Sequence, residues 1–164
     1  MIKASELLEA PLDAVLDIMT TKDFYVEVAS ERNVETAEIT RTDLGGGSFQ
    51  MEIVRILTPG HLPAIARHLI SGPVRVTQLE RWTKAADGRG WIGRTQVSVP
   101  RLPIKLRGVQ ELRQTPEGLV YSVTGEIGAA IPILSDRLAK AGKPILERMV
   151  VRQGHHVRTR LQGL

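Results

Sequence analysis

From Asn33 to Ile127 the apolar residues recur at every second position in segment after segment, and the breaks between segments are built of turn residues. Phe49, Met51 and Ile53 share one face, while Ser48, Gln50 and Glu52 take the other. Leu119, Tyr121, Val123 and Ile127 alternate with Val120, Ser122, Thr124 and Glu126, and Val74–Lys84, Trp91–Val99 and Leu102–Arg113 continue the series. The connections are Leu44-Gly45-Gly46-Gly47, Ala86-Asp87-Gly88-Arg89-Gly90 and Thr115-Pro116-Glu117-Gly118. Such short, glycine-bearing turns join strands that run antiparallel, so the chain predicts a meander rather than a wound parallel sheet.

The flanks are of a different kind. A strand is predicted over Ile2–Leu8. Pro11 sits where the first turn of a helix tolerates proline, and Leu12, Val15, Leu16 and Met19 follow at helical spacing. A second short helix is predicted over Asp23–Ser30, with Phe24 and Val28 on one face. After Ile131-Pro132 the period is helical again: Leu134, Leu138, Ala141, Ile145 and Met149 form an apolar stripe. Pro144 interrupts that stripe, and a kink or break is expected between Ala141 and Ile145. An antiparallel sheet with one apolar face must cover it, and the last helix is the element long enough to do so. The expected fold is therefore α+β of helix-grip type. A curved antiparallel sheet of six to seven strands wraps a long, kinked C-terminal helix, with two short helices after the first strand, in one domain spanning 1–164. Only two Phe, two Tyr and two Trp are available as large plugs, so an apolar space between sheet and helix is expected.

The order of elements is similar to that of the START-like (SRPBCC) superfamily. Glu9-Ala10-Pro11-Leu12-Asp13-Ala14-Val15-Leu16-Asp17-Ile18-Met19 resembles its strand-to-helix opening. Leu62-Pro63-Ala64, Glu80-Arg81-Trp82, Leu102-Pro103-Ile104-Lys105-Leu106-Arg107-Gly108, Gly118-Leu119-Val120-Tyr121 and Ile131-Pro132-Ile133 resemble a bacterial branch catalogued as a domain of unknown function. Pro144 and the basic tail at Gly154-His155-His156 depart from that branch. The resemblance implies a cavity for lipids, sterols, polyketides or similar molecules; the branch brings no cofactor or catalytic residue.

Composition narrows the function. Cysteine is absent, which excludes disulfides, thiol nucleophiles and thiolate metal sites. No stretch approaches the roughly 18 apolar residues of a membrane span, and Met1–Glu6 lacks a secretory h-region, so a cytoplasmic protein is expected. Charge is divided unevenly: residues 1–50 hold four Lys/Arg against ten Asp/Glu (net −6), and the rest hold 18 against eight (net +10). An acidic element packed beside a basic one explains this more simply than an anionic partner.

No dinucleotide, phosphate-loop, nucleophile-elbow or zinc-protease motif occurs, so no catalytic residue, metal or cofactor is assigned. His61 and His68, seven apart, are expected as capping or exposed residues rather than metal ligands. His155 and His156 are expected on the surface of a frayed terminus. Gly45–Gly47 is expected to be a hairpin turn. Strand parity places Met51, Ile53, Trp82, Val97, Leu106, Tyr121 and Val123 on the sheet's inner face, opposite Leu138, Ile145 and Met149, as the ligand-binding wall. Strict alternation carries Glu80 and Gln78 inward with Trp82, and Arg55 inward with Ile53, which adds Arg55 and Glu80 to that wall. A β-bulge would instead shift parity and leave both charges in solvent, and the cost of burying charge favours this slightly.

The expected function is to bind or carry a hydrophobic small molecule: a lipid, isoprenoid or polyketide. The alternatives are a cyclase- or aromatase-like enzyme using Tyr121 with Glu80 or Arg55, and a module that touches anionic membrane through the basic C-terminal helix. Nucleic-acid binding is not expected, and the chain is read as a monomer or homodimer.

Overall fold

The computed structural model describes residues 1–102, 104–129 and 131–163. Strand β1 (Ile2–Leu8) leads into helices α1 (Leu12–Met19) and α2 (Lys22–Ser30). Strands β2 (Glu35–Gly45), β3 (Ser48–Leu57), β4 (Val74–Lys84), β5 (Gly90–Ser98), β6 (Ile104–Thr115) and β7 (Gly118–Ala129) follow, and α3 (Pro132–Gln162) closes the chain. The strands form one antiparallel seven-stranded sheet in the order β1-β7-β6-β5-β4-β3-β2. This is the helix-grip architecture, with β1 pairing back onto β7 because its helices carry the chain across the sheet's inner face to the opposite edge.

Local chemistry accounts for the boundaries. Pro11 stands at the N-cap of α1, and the Thr21 hydroxyl caps α2 by accepting the Phe24 N–H at 3.2 Å. Gly45, Gly46 and Gly47 all take positive φ at the β2–β3 turn, as a tight hairpin requires. Between β3 and β4 lie two 3-10 turns, Pro59–His61 and Ala64–Leu69. His61 serves as a cap there, its Nδ1 accepting the Thr58 N–H at 2.9 Å, while His68 is exposed. Strand β6 begins at Ile104; Pro103, within the strand predicted from Leu102, lies outside the described residues.

The last helix is continuous and longer than its apolar stripe predicts. It runs through Pro144 without a break: Pro144 is exposed, so the missing N–H costs one hydrogen bond on the solvent side. Its terminus is not frayed. Val150, Gly154 and Val157 are buried and extend the apolar stripe beyond Met149. Gly154 is where helix and sheet approach closely, for a Cβ there would lie 3.1 Å from the Glu6 side chain.

The uneven charge is settled by docking within the fold. Arg152 meets Glu31 at 2.7 Å, Arg160 meets Glu27 at 2.6 Å and Arg158 meets Glu6 at 2.8 Å. His156, between Arg152 and Arg160 on the same helical face, brings Nε2 to 2.7 Å from Glu31 and sits against the Phe24 ring. His155 is exposed. The basic tail thus lies along acidic α2 and β1. Each of these partly exposed pairs contributes little alone, about 0.2–1 kcal/mol, but together they set the register of α3.

The interior is filled unevenly. At one end Phe49, Trp82, Leu112 and Leu119 from the sheet meet Val15, Leu16 and Val157 from the helices in a solid core. Trp82 lies flat over Gly93, where an added Cβ would come within 2.7 Å of the indole. α3 packs on β1 and β7, whereas β3–β5 stand off from it. The far half of the sheet therefore faces the helix across open space.

Candidate functional site

The register explains why that space exists. One transverse row of inward positions reads Met51, Glu80, Thr95, Gly108, Gly125, Ile2, and two adjacent members, Gly108 and Gly125, have no side chain. The next row reads Ile53, Gln78, Val97, Leu106, Ile127. With glycines side by side on β6 and β7 in the first row, the sheet cannot reach the helix there, and a chamber of about 440 Å³ is left. That lies within the roughly 300–1,000 Å³ of small-molecule sites. Val76, Val97, Leu106 and Ile127 form its sheet wall, and Ile145, Leu146 and Met149 its helix wall.

Its floor is polar. Glu80 is 3% exposed, and its Oε1 accepts the Tyr25 hydroxyl at 2.6 Å and the Trp82 indole N–H at 3.0 Å. Its Oε2 accepts the Gln78 amide, whose carbonyl in turn takes an N–H of Arg55 at 2.7 Å. A second chain runs beside it. Gln110 donates to Thr95 at 3.1 Å, and the Tyr121 hydroxyl lies 2.9 Å from the Gln110 carbonyl and 2.6 Å from the Gln153 amide. One hydroxyl proton serves one acceptor. The two amide oxygens of Gln110 and Gln153 therefore share the Tyr121 proton, which goes to one of them at a time.

Burial governs the acidities. It pushes the Tyr121 hydroxyl far above the ordinary phenol range, with the Glu80 charge adding to the effect. Tyr25 moves the same way, again by burial first and then by Glu80's charge and hydrogen bond. Burial lowers Arg55, opposed by Glu80 and Tyr25. Both tyrosines are therefore hydrogen-bond donors rather than bases at neutral pH. Near the rim, burial lowers Arg32, assisted by the like charges of Arg152 and Arg148.

The bulge expected for Glu80 and Arg55 does not occur. β3 and β4 pair without a register shift, and the irregularities fall in β2, between Thr36 and Glu38 and between Asp43 and Gly45. Alternation holds because the carboxylate is satisfied in place by three donors, which removes the penalty that favoured a bulge. Of the predicted wall, Arg55, Glu80, Val97, Leu106, Val123, Ile145 and Met149 border the chamber. Met51, Ile53, Trp82 and Tyr121 face inward but pack in the solid core behind it, and Leu138 is buried outside the lining. Parity tells which face a residue takes, not how far along the strand the space lies.

Sequence reasoning missed Tyr25, Gln110, Gln153 and the rim arginines. Gln110 shares parity with Leu106 and Leu112, a usable signal; Tyr25 and Gln153 reach the site from helices, where none existed. Among the described residues, no group of three or more His, Asp or Glu could hold a metal ion.

A profile of the family described as "Protein of unknown function (DUF2505)" matches residues 4–161. No curated protein matches the chain. Among solved structures, a conserved protein from Geobacillus kaustophilus superposes with a TM-score of 0.55 at 10% identity, over 96% of this chain and 94% of that one. TTHA0849 from Thermus thermophilus gives 0.52 at 16% identity, over 96% and 97%. The di-domain ARO/CYC StfQ from the steffimycin biosynthetic pathway gives 0.54 at 13% identity, over 99% of this chain and 52% of that one. This chain thus corresponds to about half of the di-domain. These likenesses establish a shared fold.

Proposed function

We propose that this chain, which belongs to the DUF2505 family of proteins of unknown function, binds a hydrophobic small molecule of the lipid, isoprenoid or polyketide kind. The observation that carries the reading is the aliphatic-walled chamber with its polar floor. Apolar walls supply affinity through burial, and a few fixed donors supply orientation. The fold shared with the ARO/CYC di-domain StfQ supports a ligand-binding scaffold for this reading. Native mass spectrometry after gentle purification, followed by organic extraction, tests it. A mass with no added ligand, together with no saturable uptake of a hydrophobic probe, would sink the reading.

Gly125→Leu gives a sharper check. A Cβ there has only the Arg107 carbonyl nearby, at 3.9 Å, so the new side chain enters free space. Stability is expected to hold or rise, while probe affinity falls about tenfold or more, equivalent to about 1.4 kcal/mol.

The inward placement of Arg55, Glu80 and Tyr121 keeps a cyclase- or aromatase-like reading in play. Binding is favoured because Glu80 and Tyr121 are engaged with neighbouring side chains, which suits holding a ligand better than removing a proton from one.

Contact with anionic membrane rests on Arg137, Lys140, Lys143 and Arg148, which are exposed on α3, since Arg152, Arg158 and Arg160 are paired within the fold. Flotation with liposomes containing phosphatidylserine is expected to recover the protein in a salt-sensitive manner, and indifference to lipid charge would count against it. No described helix is long and apolar enough to cross a membrane. The edge strand β2 is bulged and charged, which favours a monomer.

A further inference from the structure

We infer that Arg55 anchors the head of the ligand, and that this head is a carboxylate carried on an apolar body. The inference rests on the chamber being a ligand site and adds the chemistry that the site selects.

A guanidinium presents five N–H donors in a fixed plane. One Arg55 donor goes to Gln78, and among the described residues the group has no other hydrogen bond and no ion pair. Arg55 nevertheless lies inside the chamber wall, between Ile53 and Leu57 on its own strand and opposite Val76 on the next. A cation in that position loses water and recovers only part of the loss from protein, as the lowering of its pKa by burial reflects. Glu80 supplies its charge but no hydrogen bond, because Gln78 bridges the two and Tyr25, Trp82 and Gln78 already use the carboxylate.

The unspent donors are the feature to be explained. A planar fork is matched best by a planar acceptor with two oxygens, which is a carboxylate. Glu80's charge opposes an incoming anion. The wider field outweighs it, for Arg55, Arg32 and Arg148 all line the chamber and make no ion pair among the described residues. Two of those arginines, Arg32 and Arg148, stand near the rim, where they draw anions toward the opening. Arg55 then fixes the head, and the aliphatic walls on either side take the body.

Calorimetric titration with dodecanoate and with methyl dodecanoate separates charge from carbonyl. The wild type is expected to bind dodecanoate about tenfold or more tightly than the ester, and Arg55→Gln to abolish that preference while leaving ester affinity within about threefold. Arg55→Lys, which keeps the charge but not the fork, is expected to retain part of the preference. Circular dichroism melting shows whether each variant is folded; if Arg55→Gln is not, Arg55→Lys decides. A preference left whole in a folded Arg55→Gln, or in Arg55→Lys where that variant decides, overturns the inference. Equal binding of acid and ester by the wild type also overturns it while leaving the chamber reading intact. No binding of either probe, or of 2-naphthoate, overturns both. Comparing dodecanoate with 2-naphthoate distinguishes a flexible acyl body from a flat aromatic one, and an Arg55-dependent preference for either supports the anchor.

Discussion

Glu80→Ala is expected to cost about 3–5 kcal/mol of folding stability, a fall in Tm of roughly 6–20 °C for a domain of this size. The truncation removes few apolar contacts, so its effect comes almost wholly from the groups left behind. Tyr25 and Trp82 would each keep a buried donor with nowhere to place it, and Gln78 would lose the acceptor that fixes its amide. Each stranded group costs about 1–3 kcal/mol. Tyr25→Phe removes one donor and leaves the carboxylate two others, so it should cost only about 1 kcal/mol. Thermal and urea melts of the two variants measure the contrast. If Glu80→Ala stayed within about 1 kcal/mol of wild type, the carboxylate would not be holding α2 against the sheet. It would then have to be understood through the ligand instead.

That role for Glu80 shows where sequence legibility ends. The strand order, the turns and the covering helix could be read because each is written locally: Phe49, Met51 and Ile53 mark a face, and Gly45-Gly46-Gly47 marks a reversal. Alternation even carried Glu80 and Arg55 to the correct side. The doubt came from energetics that the local pattern does not hold. Whether a buried carboxylate is tolerable depends on its donors, and one of the three, Tyr25 on α2, is 55 residues away in the chain. The acidic first 50 residues and the basic remainder were likewise visible as composition, but the pairing of Glu27 and Glu31 with Arg160 and Arg152 needed the docking of α2 on α3.

The chamber was less legible than the fold for a related reason. Residues that line a space are conspicuous, and residues whose absence makes the space are not. Gly108 and Gly125 stand opposite each other in register across β6 and β7, yet in the sequence they lie 17 positions apart and read as two ordinary strand glycines. Met51, Ile53 and Tyr121 were placed on the wall because they face inward. Tyr121 faces the solid end, where α1 and the Trp82 ring have filled the interior, whereas Met51 and Ile53 share the chamber's rows but are buried in the core cluster on the β3 side. Depth along a strand is set by which helices cover which half of the sheet, and no periodicity records that.

Trp82 marks the boundary between the two halves, and its removal has the second large effect. Trp82→Ala is expected to cost about 3–5 kcal/mol through lost burial and the void left behind. The void would not be isolated. The indole is 1% exposed and lies over Gly93, in the transverse row that continues through Gln110 to Val123, both of which border the chamber. Deleting it should join the void to the chamber and deepen the site rather than enlarge its mouth. Trp82→Phe keeps most of the ring and loses only the donor to Glu80, so it should be destabilised much less and keep the original depth. Titrating both variants with saturated carboxylates of increasing length separates depth from stability. The optimum should move to longer chains in Trp82→Ala and stay in place in Trp82→Phe. An unchanged optimum in a folded Trp82→Ala protein would mean that the core collapses onto the gap, and that Trp82 supports the sheet without setting the length of what it holds.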